Sequence, residues 1–179
     1  MKKIVLSMLV ILALFSVGSV FADEGYVGVS MPTNSLQRWN EDGAGIKTEL
    51  EAIGYKVNLQ YADNEVETQI SQIENMILDG VKALVIAPVD SYALGEVLLT
   101  AFDNDVYVFV YDRLIMETPS VSYALGFNNE QVGTLQGQYI VEQLDLENTD
   151  GPYTIEFFSG SPDDSNAKLF YKGALDVLQ

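Results

Sequence analysis

The chain is built on a regular alternation. Short apolar runs are followed, one after another, by stretches whose apolar residues recur at helical spacing. Gly25 to Ser30 (GYVGVS), Lys56 to Tyr61 (KVNLQY), Lys82 to Ala87 (KALVIA), Tyr107 to Tyr111 (YVFVY), Val121 to Phe127 and Tyr153 to Phe158 (YTIEFF) read as strands. Between them, Ser35 to Ile53 places Ile46, Leu50 and Ile53 on one helix side, and Gly54 stops it. Val66, Ile70, Ile73 and Ile77 mark a second helix, with Asn64 and Glu67 spaced as a capping box and Gly80 as its stop. A third helix, capped by Asp90 or Ser91, carries Leu94, Leu98 and Phe102; a fourth from Asn128 carries Val132, Leu135 and Tyr139; a fifth spans Asp163 to Leu178. The unbroken apolar run of KALVIA suits a strand covered on both faces. Repeated strand-helix-strand units predict an α/β fold built on a doubly wound parallel sheet. Ligands of such sheets sit beyond the carboxyl ends of the strands.

Ahead of the first strand, Lys2 and Lys3 precede an apolar stretch that ends in Val20-Phe21-Ala22. This is the pattern of a cleavable secretory signal peptide over residues 1–22, so the mature chain is expected in the periplasm with no stable membrane anchor. Two lysines and no acid leave with that segment, so the formal net charge of −17 becomes −19. Such a surface repels phosphate backbones, which disfavours nucleic-acid partners. The chain contains no cysteine and no histidine. Disulfides, thiolate and imidazole metal sites and Ser-His-Asp catalysis are therefore excluded. No metal or cofactor is expected.

Polar groups collect where strands end. Arg38 and Trp39 follow the first strand and pair a forked cation with the chain's single tryptophan. Flat aromatic faces take sugar C–H groups, and planar polar heads take hydroxyls. Asp112 and Arg113 end the fourth strand; one accepts hydroxyl hydrogens and the other donates in a fork. The alternative for this pair is an exposed ion pair of small worth. Asn128 is either a ligand group or only a helix cap supported by Gln131, and Asp164 and Asn166 carry the same two readings at the last helix. Gly43 to Thr48 hints at a phosphate loop but lies inside a helix. Asp164-Ser165-Asn166 starts like a calcium loop, yet Leu169 stands where its glycine belongs.

Several stretches together resemble periplasmic sugar-binding proteins of ABC transporters, of the type I periplasmic binding protein superfamily, and within it the xylose-binding and multiple-sugar-binding receptors. They are QRW at Gln37 to Trp39, SQIENMILDGVKALVIAP from Ser71 to Pro88, YDRLI from Tyr111 to Ile115, NNEQVGTLQG from Asn128 to Gly137 and GSPDDSNAKLF from Gly160 to Phe170. The resemblance implies an N-terminal lobe over residues 23–127, then a hinge crossing and an incomplete second lobe over 128–179, as in a C-terminally truncated chain. It implies that one monosaccharide, a xylose-like pentose or a hexose, is held between the lobes by Arg38, Trp39, Asp112, Arg113, Asp164 and Asn166. Asn128 stands where many relatives carry Asp. The partners implied are an ABC permease and, in the alternative, a chemoreceptor or sensor kinase. A carboxylate-only glycosidase on Asp112 and Asp164 is the remote rival, disfavoured by Arg113 beside Asp112, which favours the ionised form over the protonated acid such an enzyme needs.

Overall fold

The computed structural model describes residues 25–179; the leader read at residues 1–22 lies outside them. Strands β1 (Tyr26–Met31), β2 (Lys56–Tyr61), β3 (Ala83–Ile86), β4 (Tyr107–Tyr111) and β5 (Tyr123–Leu125) form one sheet in the order β2-β1-β3-β4-β5, and each neighbouring pair is parallel. The helices are α1 (Gln37–Ala52), α2 (Val66–Leu78), α3 (Gly95–Asp103), α4 (Asn129–Gln143) and α5 (Ser165–Leu178).

Strand alternation sorts the core onto two faces. Leu84, Ile86, Val108 and Val110 turn toward α2 and α3, where Ile73, Met76, Val97, Leu98 and Ala101 cover them. Val27, Val29 and Met31 turn the other way, toward Trp39, Ile46 and Leu50 of α1. Fully burying one such aliphatic side chain is worth about 1.5–3 kcal/mol. Helix α1 covers only the β1–β2 half of its face, so Tyr107, Phe109, Tyr123 and Leu125 stay exposed beyond it. Phe109 and Tyr123 stack on each other there, with ring centroids 5.1 Å apart.

Several expectations from the sequence are corrected. Tyr153 to Phe158 forms no strand; among the described residues no neighbouring strand pairs with it, and an apolar run alone makes no ladder. The capping box at Asn64 does not form, because Glu65 takes the cap position without a side-chain bond while Asn64 adopts a left-handed turn with φ 61°. Helix α3 starts at Gly95 with no side-chain cap; Asp90 instead accepts the Tyr92 N–H at 2.7 Å. Ile53 and Phe102, placed on buried stripes, are exposed. Helix α4 departs furthest. Val132, Leu135 and Tyr139 are exposed, and its buried side is Asn129, Gly133 and Gly137, packed on α5.

Gln69 of α2 is fully buried. Its Nε2 donates to Ser30 Oγ at 3.1 Å and to the Ala87 carbonyl at 3.0 Å, and its Oε1 accepts the Val89 N–H at 2.8 Å. One amide thus ties the exits of β1 and β3 together, and the turn it fixes presents the Pro88 carbonyl to Arg113 Nη1 at 3.1 Å. Gln69→Leu, of similar volume, should lower unfolding stability by about 1–3 kcal/mol through the buried partners it strands. The shift of the urea midpoint measures it; an unchanged midpoint would show the amide to be dispensable.

Candidate ligand-binding cleft

Parallel register carries the ends of the central strands to one level. Ser30 pairs with Ile86 and Ile86 with Val110, so the chain leaves β1, β3 and β4 side by side. The segment after β1 winds into α1 and lifts Arg38; the end of β4 turns sharply at Asp112, whose φ is 65°. A left-handed backbone is uncommon for a residue with a side chain, though Asp tolerates it better than most, and it aims this carboxylate away from the strand.

Arg38 Nη2 contacts Asp112 Oδ1 at 2.6 Å, and its Nε contacts Asp42 Oδ2 at 3.3 Å. Asp112 is nearly buried. Asn166 Nδ2 approaches Asp112 Oδ2 at 3.3 Å, and Asn129 Nδ2 donates to Asn166 Oδ1 at 2.7 Å. Arg113 Nη1 is held by the Pro88 carbonyl, and its Nε lies 3.0 Å from Asp164 Oδ2. That N–H is not aligned with the carboxylate. The contact is therefore one of charge, and the buried Nε has no hydrogen-bond partner. Asp164 also caps α5 by accepting the Asn166 N–H at 2.9 Å.

These groups surround a cleft of about 400 Å³ lined by Arg38, Tyr111, Asp112, Arg113, Asn129 and Asn166, with Asp164 and Asp42 at its edge and Phe127 and Phe170 as apolar walls. The volume lies in the range of small-molecule pockets. Burial opposes the charge on Arg38, but the hydrogen bond and field of Asp112, and after them Asp42, outweigh it and raise the guanidinium above its usual range. Burial first, then the field of Asp42, raises the Tyr111 hydroxyl above the ordinary tyrosine value. Both groups therefore hold their protons across the physiological range.

Arg38, Asp112, Arg113, Asp164 and Asn166 are brought together from three separate segments. Trp39 lies beneath them rather than on the cleft wall. It is 3% exposed, and the Arg38 and Arg113 guanidinium carbons stand 4.4 and 5.5 Å from its ring centre. Asn128 is exposed and caps α4 by accepting the Gln131 N–H at 3.1 Å; its neighbour Asn129 faces the cleft. Phe127 and Asn129 flank Asn128 at the end of the fifth apolar run, but only Asn128 stood out as a ligand candidate there, and Phe170 did not stand out at all. The helix cap itself held the signal for Asn129, since the residue after a cap begins the helix and points from its first turn.

The family profile described as periplasmic binding protein domain matches residues 27–179. The chain is 46% identical over 167 residues to the multiple sugar-binding periplasmic receptor ChvE of Rhizobium radiobacter, covering 93% of this chain and 47% of that protein. It is 36% identical over 178 residues to the D-xylose-binding periplasmic protein of Escherichia coli K12, covering 99% of this chain and 52% of that protein. Among solved structures, an ABC transporter solute binding protein from Clostridium phytofermentans with bound β-D-glucose superposes with a TM-score of 0.82 at 54% identity, over 86% of this chain and 47% of that one. The chain spans about half the length of the curated relatives it matches.

Proposed function

The chain belongs to the periplasmic binding protein domain family, and from that premise we propose that its cleft takes up one neutral monosaccharide, a pentose or hexose, outside the cytoplasm and passes it to an ABC permease. The observation that carries this reading is the close pairing of the cleft's charges. Arg38 and Arg113 face Asp42, Asp112 and Asp164 in ion pairs, one carboxylate in formal excess, which disfavours an anionic ligand, while Asn129 and Asn166 add neutral planar heads. Such a set can donate to and accept from several hydroxyls at once, and the aromatic walls can take the C–H faces of a ring. Trp39 then serves as the floor on which both guanidinium groups rest, with Tyr111, Phe127 and Phe170 nearer the ligand. The relatives' names support the sugar class: one is a receptor for multiple sugars, one binds D-xylose, and one solved structure holds β-D-glucose. All of these are binding proteins, and we extend binding without turnover to this chain.

Calorimetric titration tests the reading. D-glucose, D-xylose, D-galactose and L-arabinose form the panel, with gluconate and glucose 6-phosphate as charged controls. Saturable heat from at least one neutral sugar and none from the charged controls is the expected result. Preference for a charged ligand, or silence across the neutral panel, contradicts it.

A further inference from the structure

Asp164 and Asn166 share a neighbour that turns away from the cleft. Ser165 is 5% exposed, and its side chain points into the seam between α5 and the turn after β4. Its Oγ accepts the Leu114 N–H at 3.1 Å and lies 3.4 Å from the Leu114 carbonyl, which it can bond in return. Its own N–H donates to Ser91 Oγ at 3.1 Å. Ser91 is fully buried; its N–H donates to the Asp163 carbonyl at 3.0 Å, and its carbonyl accepts the Met116 N–H at 2.7 Å. Two tripeptides thus lie against each other: Asp112-Arg113-Leu114 and Asp164-Ser165-Asn166. Asn166 reaches Asp112, Asp164 reaches Arg113, and Ser165 with Leu114 forms the rung between those contacts. Neither serine lines the cleft.

We propose that Ser165, seated on Ser91 and Leu114, is a positioning residue that sets how the Asp164 and Asn166 heads register against Asp112 and Arg113, and so governs affinity for every sugar without choosing among them. This rests on the sugar reading above. A side chain that meets no hydroxyl cannot tell one sugar from another. It can change the fraction of molecules whose α5 start is seated for binding, and apparent affinity scales with that fraction for all ligands alike. Two further contacts on the same seam act in the same sense: Lys168 Nζ donates to the Tyr92 hydroxyl at 2.9 Å and stands 4.3 Å from that ring's centre.

The test compares Ser165→Ala, Ser91→Ala and Asn166→Ala with the unaltered protein by calorimetric titration of D-glucose and D-xylose, with a thermal melt of each. Ser165→Ala and Ser91→Ala should each weaken both sugars by about three- to ten-fold, the loss of roughly one hydrogen bond, and leave the glucose-to-xylose ratio unchanged. Asn166→Ala, which removes a group that meets the sugar, should change that ratio. A lowered melting temperature with unchanged affinity in the serine variants would make the rung merely structural and overturn the proposal. So would a changed sugar ratio in those variants. If Ser165→Ala does not fold, Ser91→Ala decides alone, since it leaves Ser165 in place. Failure of the unaltered protein to bind any neutral sugar would overturn the sugar reading itself, a result distinct from the others.

Discussion

Asp112→Asn should weaken monosaccharide binding by about ten- to a hundred-fold. A hydrogen bond to an ionised group contributes about 1.5–3 kcal/mol, and each 1.4 kcal/mol is ten-fold in affinity. Asparagine keeps the shape and tolerates the left-handed backbone at φ 65°, but its amide nitrogen must face either Arg38 Nη2 or Asn166 Nδ2, both donors, so the change removes the charge and one of these two acceptors. It also breaks the balance around Arg38, whose Nη2 lies 2.6 Å from Asp112 Oδ1, and leaves that guanidinium leaning on the more distant Asp42. Arg38 is half-exposed, so water screens part of this loss, and the affinity change should come mainly from the ligand contact. Titration calorimetry of the variant against the preferred sugar reads the result. Affinity within two-fold of the unaltered protein would remove Asp112 from the ligand's hydrogen-bond set.

Gly173→Ala, though it adds a single methyl group, should destabilise the α4–α5 pair by about 3 kcal/mol or more. A Cβ at Gly173 would stand 2.0 Å from the Glu130 carbonyl oxygen and 2.7 Å from the Thr134 nitrogen, and both obstacles are backbone. Across the same seam, a Cβ at Gly133 would stand 2.2 Å from the Phe170 carbonyl oxygen. No rotamer relieves such overlaps; the helices must separate, and overpacking of this kind costs about 1–3 kcal/mol where side chains can still adjust. The matched control is Gly45→Ala in α1, where nothing lies within 4 Å of the added carbon. That change should stabilise the protein by about 0.5–1 kcal/mol, because glycine inside a helix is disfavoured relative to alanine. Urea unfolding of both variants gives the comparison. Equal midpoints would mean that the two helices do not pack as closely as the structure has them.

The glycine seam explains why part of the fold was hidden in the sequence. Periodicity finds a helix face by its bulky apolar residues, and in α4 those residues, Val132, Leu135 and Tyr139, face outward. The buried face is small, because backbones meet there. Strands were legible where both faces are covered, as at Ala83–Ile86, and Tyr153 to Phe158 misled because an apolar run announces burial but not a ladder partner. Asp112 and Arg113 stood out because two charges at the tip of an apolar strand have few structural uses. The depth of Trp39 was not legible: an aromatic beside an arginine suits a cleft wall and a cleft floor equally well. Gln69 escaped for a related reason, since a glutamine on a helix gives no sign that three buried backbone and hydroxyl groups await it.

If Arg38, Asp112, Arg113, Asp164 and Asn166 converge on one uncharged sugar, a crystal structure of the protein with its preferred monosaccharide will show it. Ring hydroxyls are expected within hydrogen-bonding distance of those five side chains, and a ring face against Phe127 or Phe170, with Trp39 still beneath the two guanidinium groups. A sugar seated elsewhere on the molecule, or one that touches neither Asp112 nor Arg113, would contradict it.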